Sequence, residues 1–148
     1  MATDAASAAA NEALAHRWHM DIFHAGKLEV ADEILGSGFV FHMPNTDVVG
    51  VEGTKQLATA FRTAFPDLRI THEDTVAAGN RVAIRWTAQG THRGDFQGVP
   101  PSGKAIQLRG TDFYRIEQGK IAEAWIDYNV FEILQQMGAL STPGQPSR

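Results

Sequence analysis

The sequence has no cysteine and no surplus of positive charge, and each absence excludes a class of protein. Without cysteine there are no disulfides, thiolate nucleophiles, zinc ribbons or iron–sulfur clusters. The 13 Lys and Arg residues are outnumbered by 17 Asp and Glu, which gives a formal net charge of −4. The basic surface of a nucleic-acid-binding protein is therefore missing, and no nucleic-acid partner is expected.

Long apolar runs are missing as well. No stretch approaches the roughly 20 apolar residues that a membrane-spanning helix needs, so no membrane association is expected. The first ten residues are rich in alanine, but they lack the positive start and the long apolar stretch of a secretory signal peptide. Together these absences predict a soluble, cytoplasmic protein.

What is present is the composition of a folded domain. The 148 residues suffice for one domain, and a content of 43% apolar and 20% charged residues is typical of globular proteins. We expect a flexible N-terminus over residues 1–10, a single domain over residues 11–140 and a polar tail over residues 141–148.

The order of the predicted elements is helices first and long strands afterwards. Leu14, Trp18 and Ile22 recur every four residues, which predicts a helix over residues 11–25. Further helices are predicted over residues 29–35, 53–65 and 130–137, and strands over residues 68–76, 81–90, 105–116 and 120–129. This order is typical of an α+β fold, in which a curved sheet wraps around helices and leaves a conical cavity for a small molecule.

Asp112 is the most informative single residue, because it lies on the otherwise apolar face of a predicted strand. A carboxylate there must be paired, hydrogen-bonded or wet. It is either a general acid or base or a satisfied core residue bonded to Arg109, Arg115 or the backbone. Tyr114 shares this face and either donates a hydrogen bond to a ligand oxygen or packs in the core.

A second polar cluster comes late in the last predicted strand. Alternation puts Ile126 and Tyr128 on one face and Asp127 and Asn129 on the other. If the cavity lies under Ile126, Asp127 points away from it unless a β-bulge intervenes. Asp127 and Asn129 are therefore ambiguous candidates for the site.

The six histidines lack His-Glu-x-x-His spacing, so no metal is expected. His42 is a candidate hydrogen-bonding partner for a substrate or an acid, or else an edge-strand residue that faces water. His72 and Asp74 share the parity of Ile70, so either of them can enter the cavity, although a solvated strand end explains both equally well. The glycines of residues 90–98 follow neither Walker nor dinucleotide-binding spacing.

Several segments together resemble the SnoaL-like polyketide cyclase (ester cyclase) family of the nuclear-transport-factor-2-like superfamily. The likeness covers about residues 12–140 and is specific as a set, although no single segment suffices. The segments are GVEG at 50–53, FPDL at 65–68, GTHRGDFQGVPPSGK at 90–104, DFYRI at 112–116, GKIAEAW at 119–125 and ILQQMG at 133–138.

This resemblance implies a cone of curved sheet closed by helices, usually paired into dimers, and a cyclase that needs no cofactor. Such enzymes close a ring of an aromatic polyketide by an intramolecular aldol reaction, with an aspartate as acid and base. The family's acidic residue directly follows the strand Trp, and that position is Ile126 here. The partner histidine of the cyclases falls at Asp112, whereas His42 matches a His-x-Pro at the cavity edge. Either Asp112 supplies the carboxylate from the neighbouring strand, or the reaction differs.

Two hypotheses follow from these residues. In the first, the protein is an enzyme for proton transfer at carbon, with Asp112 as acid or base and His42 and Tyr114 as polar groups that orient the substrate. In the second, the same cone binds a hydrophobic small molecule without changing it, and a hydrolase or isomerase is a further option. The expected walls of the cavity are Trp18, Phe41, Trp86, Ile126 and Tyr128.

A second copy of the chain is the other expected partner. The sheet face that bears Gln107, Phe113 and Trp125 is otherwise exposed, and contiguous apolar surface of this kind marks interfaces. We therefore predict a homodimer.

Overall fold

The computed structural model describes residues 5–140, in which a six-stranded sheet is combined with four α-helices and a π-helical segment. The helices are α1 (Ala5–Arg17), continued by the π-helical segment Trp18–His24, α2 (Val30–Ile34), α3 (Gly50–Ala64) and α4 (Val130–Gln136). The strands are β1 (Leu35–His42), β2 (Asp47–Val49), β3 (Arg69–Ala78), β4 (Arg81–Thr91), β5 (Ala105–Glu117) and β6 (Lys120–Tyr128).

The sheet is curved and open, with the strand order β2-β1-β6-β5-β4-β3. All neighbouring strands are antiparallel except β1 and β6, which are parallel. The predicted α+β class with a curved sheet around N-terminal helices is therefore confirmed. Within residues 5–140, no helix is both long enough and apolar enough to cross a membrane.

The long hairpins β3–β4, β4–β5 and β5–β6 form the framework on which the site is built. Alternation buries one face of β4 and β5 and exposes the other. Between β5 and β6, Gln118 and Gly119 both have positive φ angles, of 52° and 73°. A two-residue turn of this kind matches the twist of paired strands and fixes their register.

The first half of the sheet departs from the prediction. The stretch after residue 35 was not predicted as a strand, but β1 begins there and pairs with β6. The pairing register shifts between Leu35 and Val40, so the small residues 36–38 bulge out of the ladder. Gly36 and Gly38 lie in this bulge.

At the N-terminus, α1 begins at Ala5, six residues before the predicted start at Asn11. The segment predicted as flexible is thus helical from Ala5 onward. The start of that segment, residues 1–4, and the predicted polar tail, residues 141–148, lie outside the described residues.

The last helix is attached to a sheet edge. Strand β6 ends opposite Gly110, so within residues 5–140 no strand pairs on this side with the part of β5 before that residue. There the Gln136 side chain accepts from the Gln107 backbone N–H and donates to the Gln107 carbonyl, both at 2.8 Å. The amide thus replaces a missing strand and holds α4 against β5.

Candidate active site

The concave side of the sheet encloses a narrow pocket beneath the N-terminal helix. Its free volume is about 60 Å³, against the roughly 300–1,000 Å³ of typical ligand pockets. His19, Trp86, Asp112 and Tyr128 supply the polar atoms of its walls. The other walls are apolar: Trp18, Phe23, Phe41, Phe61, Phe65, Leu68, Ile70, Ala88, Leu108 and Ile126.

The π-helical segment places two of these residues side by side. Trp18, His19, Ile22 and Phe23 are all buried on its inner face. The wider π-helical turn brings residues five apart into line, and the Trp18 and Phe23 ring centroids are 5.1 Å apart. Segments of this kind are frequent at functional sites.

Asp112 lies fully buried at the pocket wall, surrounded by three groups that can donate hydrogen bonds. The Trp86 indole N–H donates to Oδ1 at 2.9 Å, and the Tyr114 hydroxyl donates to Oδ2 at 2.8 Å. His19 Nε2 lies 3.0 Å from Oδ2. An ionised carboxylate only accepts hydrogen bonds, so this set of donors suits a carboxylate that serves as a base.

A glycine makes room for the Trp86 indole beside Asp112. Gly110 pairs with Trp86 across β4 and β5. A Cβ at Gly110 would come within 2.5 Å of the indole Cζ2 and 2.8 Å of the Asp127 carbonyl. The bare backbone at this position therefore allows the indole to lie across β5 with its N–H toward Asp112.

From Asp112 a chain of imidazoles leads away from the pocket. His19 Nδ1 lies 2.8 Å from Nε2 of His72, and the His72 ring packs at a tilt against the ring of His16, with centroids 4.7 Å apart. His16 Nε2 in turn lies 3.2 Å from the Thr75 hydroxyl. Within residues 5–140, no group of three or more His, Asp or Glu side chains is arranged to hold a metal ion.

The electrostatic state of the site follows from burial. Partial burial, together with the charges that His19 and His16 can carry, lowers the pKa of His72 to about 4, so its ring is neutral at pH 7. Burial and the nearby Asp112 raise the pKa of Tyr114 well above its usual value of about 10, which keeps its hydroxyl a donor. Burial also raises the pKa of Tyr128.

At the mouth of the pocket, the loop between β4 and β5 meets the end of β6. Gln97 Nε2 donates to the Tyr128 hydroxyl at 3.4 Å, so the hydroxyl proton stays available to a ligand. Phe96 packs on Phe61 and Phe65 with ring centroids 5.6 and 5.4 Å apart. Of these three rings, those of Phe61 and Phe65 also line the pocket.

The predicted wall residues Trp18, Phe41, Trp86, Ile126 and Tyr128 all line this pocket. Asp112 reaches it as well. Tyr114 does not line the pocket: it is fully buried behind Asp112 and contacts the carboxylate rather than the cavity. The alternative pairing of Asp112 with Arg109 or Arg115 is not observed, since those arginines are bonded to glutamates.

The expectation that His42 lies at the cavity is wrong. In β1 the buried inward position is that of Phe41, and His42 points to the outer face of the sheet. There His42 lies 3.0 Å from Asp47 and 2.6 Å from Glu123, and it stacks on Trp125. Hydrogen bonds to Glu123 and Asp47 raise the pKa of His42.

The remaining polar candidates divide in two. His72 faces inward and contacts His19 but does not line the pocket. Asp74 points outward to Arg85, because the register of β3 against β4 shifts between the two residues. Asp127 is exposed on the outer face, as the alternation without a bulge implied. Asn129 is the N-cap of α4 and accepts from the Glu132 backbone N–H at 3.0 Å.

His19 is the functional candidate that the sequence reasoning missed. Its signal was present: Ala15, Trp18, His19, Ile22 and Phe23 follow the i, i+3, i+4, i+7, i+8 spacing of a buried helix face. A stripe read only at every fourth residue omits it.

Comparison with known proteins agrees with this geometry. The family model described as SnoaL-like polyketide cyclase matches residues 13–137. Among curated proteins, no significant match to this chain is found.

Solved structures give the same fold from several organisms. AclR from Streptomyces galilaeus, a candidate hydroxylase, is 27% identical, with 91% of this chain and 100% of that chain covered and a TM-score of 0.79. IdmH from Streptomyces antibioticus, a candidate polyketide cyclase, is 28% identical, with coverage of 86% and 98% and a TM-score of 0.73. TsrD from Streptomyces laurentii is 26% identical, with coverage of 89% and 97% and a TM-score of 0.79.

Proposed function

We propose, since this chain belongs to the SnoaL-like polyketide cyclase family, that it catalyses proton transfer at carbon in an apolar carbonyl substrate, with intramolecular aldol ring closure as the leading reaction. The observation that carries the proposal is the Asp112 carboxylate at the wall of an otherwise apolar pocket, where three side chains hold it. Burial excludes water from the carboxylate, and the three side chains hold it in one position for reaction with a bound substrate.

The reaction needs one carboxyl group in two roles. Asp112 takes a proton from a carbon next to a carbonyl, and the C–H electron pair forms an enolate. The enolate carbon attacks a second carbonyl of the same molecule, a C–C bond forms, and the C=O π pair moves to oxygen. That alkoxide takes the proton back from Asp112. Tyr128, with its hydroxyl proton free, is a donor for one of the substrate oxygens.

The pocket also constrains the substrate. Its walls are apolar and aromatic, which suits a flat, uncharged molecule. With a free volume of about 60 Å³, a substrate of several rings enters only if the aromatic side chains at the mouth move. The chain is similar to both a candidate hydroxylase and a candidate cyclase, so the reaction cannot be inferred from the fold alone.

A small probe tests the base without knowledge of the substrate. In 5-nitrobenzisoxazole, removal of the ring C–H proton turns the C–H pair into the third bond of a nitrile while the N–O bond breaks. Coloured 2-cyano-4-nitrophenolate is released. We expect the protein-catalysed rate to fall roughly 100-fold in Asp112→Asn, which keeps the shape of the side chain but not the base.

The matched control is Asp127→Asn, which removes an exposed carboxylate from the neighbouring strand and leaves the pocket unchanged. Circular dichroism checks that both variants are folded. Equal rates in the wild type and Asp112→Asn, or a wild-type rate no higher than that of free acetate at the same concentration, contradict the assignment. A pocket that binds the probe without opening its ring supports the hydrophobic-ligand-binding alternative.

We also propose that two copies pair through the outer face of the sheet. Phe113 is 42% exposed there, and its ring packs on Trp125 at 6.0 Å, next to His42. An apolar aromatic patch on a sheet face is typical of an interface. Light scattering is expected to give twice the chain mass of 16.1 kDa, and Phe113→Ser to shift it toward one copy. A single-chain mass for the wild type contradicts the dimer.

A further inference from the structure

His19 is buried, and both of its ring nitrogens are occupied. Its side chain is only 6% exposed. Nε2 faces Asp112 at 3.0 Å, and Nδ1 faces Nε2 of His72 at 2.8 Å. A proton that reaches or leaves His19 from the solvent therefore has to pass one of these two neighbours.

The route past Nε2 leads to Asp112, which is fully buried and lines the apolar pocket, so on this side a proton is exchanged with a bound substrate rather than with solvent. The other group near that nitrogen is the Tyr114 hydroxyl at 3.4 Å, which is fully buried and donates to Asp112. This hydroxyl is fully buried and its raised pKa keeps it protonated, so it gives His19 no path to solvent. The Trp86 indole on the far side of Asp112 is a donor only.

We propose that His72 is the port through which His19 gains and loses its proton, so that His72 sets how fast the buried Asp112–His19 pair changes its charge. This inference rests on the proposed function, because the pair is the candidate acid and base. His72 is only partly buried and lies at the surface end of the contact, where water reaches it.

The transfer moves protons only. A solvent proton binds the outer nitrogen of His72, Nδ1, and an N–H bond forms there. The proton on His72 Nε2 passes to His19 Nδ1 across 2.8 Å, while its electron pair stays on His72. His19 then carries both ring protons and is an imidazolium next to the Asp112 carboxylate. The reverse sequence discharges it.

The surroundings of His72 keep its ring neutral except while it transfers a proton. From α1 the His16 ring packs against it at 4.7 Å, and from the π-helical segment His19 faces it. From β5 the charge of Asp112 favours a proton on His72, but burial and the two neighbouring histidines outweigh it. With a pKa of about 4, His72 is neutral at pH 7 and holds an extra proton only in transit. Trp86 is opposite His72 in the β3–β4 register and is uncharged.

The consequence for chemistry is a choice between two states of one site. With neutral His19, Asp112 has the environment of a base; with imidazolium His19, the pair holds an additional proton to give back to a substrate oxygen. The rate at which His72 passes protons limits how fast the site switches between these states.

Nuclear magnetic resonance of protein labelled with ¹⁵N-histidine tests the port without any substrate. The pH is varied until both charge states of His19 are populated, and the rate of their interconversion is measured. His72→Gln keeps an N–H donor for His19 Nδ1 but cannot relay a proton, and His72→Phe keeps the ring volume without nitrogens. We expect interconversion to be slower by roughly tenfold or more in both variants.

His16→Gln is the matched control, because the His16 ring packs on His72 at 4.7 Å but lies outside the path. The charge that His16 can carry lowers the pKa of His72, so we expect the rate in this variant to be no lower than the wild-type rate. The Trp86 indole N–H resonance reports whether the pocket is intact in each variant, and His72→Gln alone decides if His72→Phe does not fold. A wild-type rate in His72→Gln overturns the port and reduces His72 to a structural neighbour. This result is independent of the benzisoxazole assay, whose failure would instead remove Asp112 as the base.

Discussion

At the scale of single residues, the hydrogen bonds of Asp112 determine how much the buried carboxylate lowers the stability of the fold. The side chain is fully buried, and Trp86 is the donor to Oδ1. Trp86→Phe removes that donor and leaves a buried acceptor unsatisfied, which we expect to lower the free energy of unfolding by about 1–3 kcal/mol. Urea denaturation measures it.

The control for this prediction is Trp125→Phe. Trp125 is half-buried on the outer face of the sheet and stacks on His42. Because phenylalanine keeps an aromatic ring at the proposed interface, we expect a change of about 0.5 kcal/mol or less when both variants are measured at one protein concentration. Equal losses in the two variants would mean that the lost indole volume, rather than the bond to Asp112, explains the change.

The sequence located Asp112 but not its partner. A strand exposes successive side chains to opposite faces, so a carboxylate at an apolar position can be recognised from five or six neighbouring residues. His19 is 93 positions away, and its contact with Asp112 depends on how the N-terminal helix packs on the sheet. Local periodicity states which face a residue is on, but not which residue from another element meets it there.

At the scale of elements, one extra residue in β3 decides which polar side chains belong to the site. Before the register shift, His72 faces inward; after it, Asp74 is paired with Arg85 outside, and Val76 is 65% exposed. Strict alternation gave His72, Asp74 and Val76 the same face. A bulge reverses the parity of all that follows, and in a strand of mixed polar and apolar residues the sequence does not mark its position.

The N-terminal helix shows the opposite case. Its existence and its buried stripe were predictable from the spacing of Trp18 and Ile22, whereas its π-helical turn was not. A π-helical segment is stabilised by the tertiary contacts of its side chains, here the packing of Trp18 on Phe23, Phe39 and Phe41. Those contacts exist only in the folded molecule.

At the scale of the whole molecule, the outline of the fold was predictable and the chemistry was not. The order of helices and strands and a set of short segments sufficed for the curved sheet. The position at which the resemblance leads one to expect the family's acid is Ile126, and this side chain lines the pocket as an apolar residue. Whether Asp112 replaces the missing acid depends on distances between three elements, which a sequence pattern does not contain.

Two histidines change the free energy of unfolding in opposite directions as the pH falls. Hydrogen bonds to Glu123 and Asp47 raise the pKa of His42, so its stabilising contribution is complete below about pH 6.5 and is lost as the pH rises through the raised value. Burial lowers the pKa of His72 to about 4. The unfolded chain therefore takes up a proton at about pH 6.5 that the folded protein refuses, and stability falls between about pH 6.5 and about pH 4.

Single substitutions separate these contributions. Relative to the wild type, we expect His72→Gln to gain stability at about pH 5 compared with about pH 8, because the penalty for keeping His72 neutral is gone. His42→Gln is expected to lose stability at the lower pH, because the charged imidazole no longer pairs with Glu123, whose own lowered pKa keeps it ionised there. Urea denaturation at both pH values and one protein concentration gives the comparison. If the change in free energy of unfolding between the two pH values moves in the same direction in both variants, this prediction is wrong.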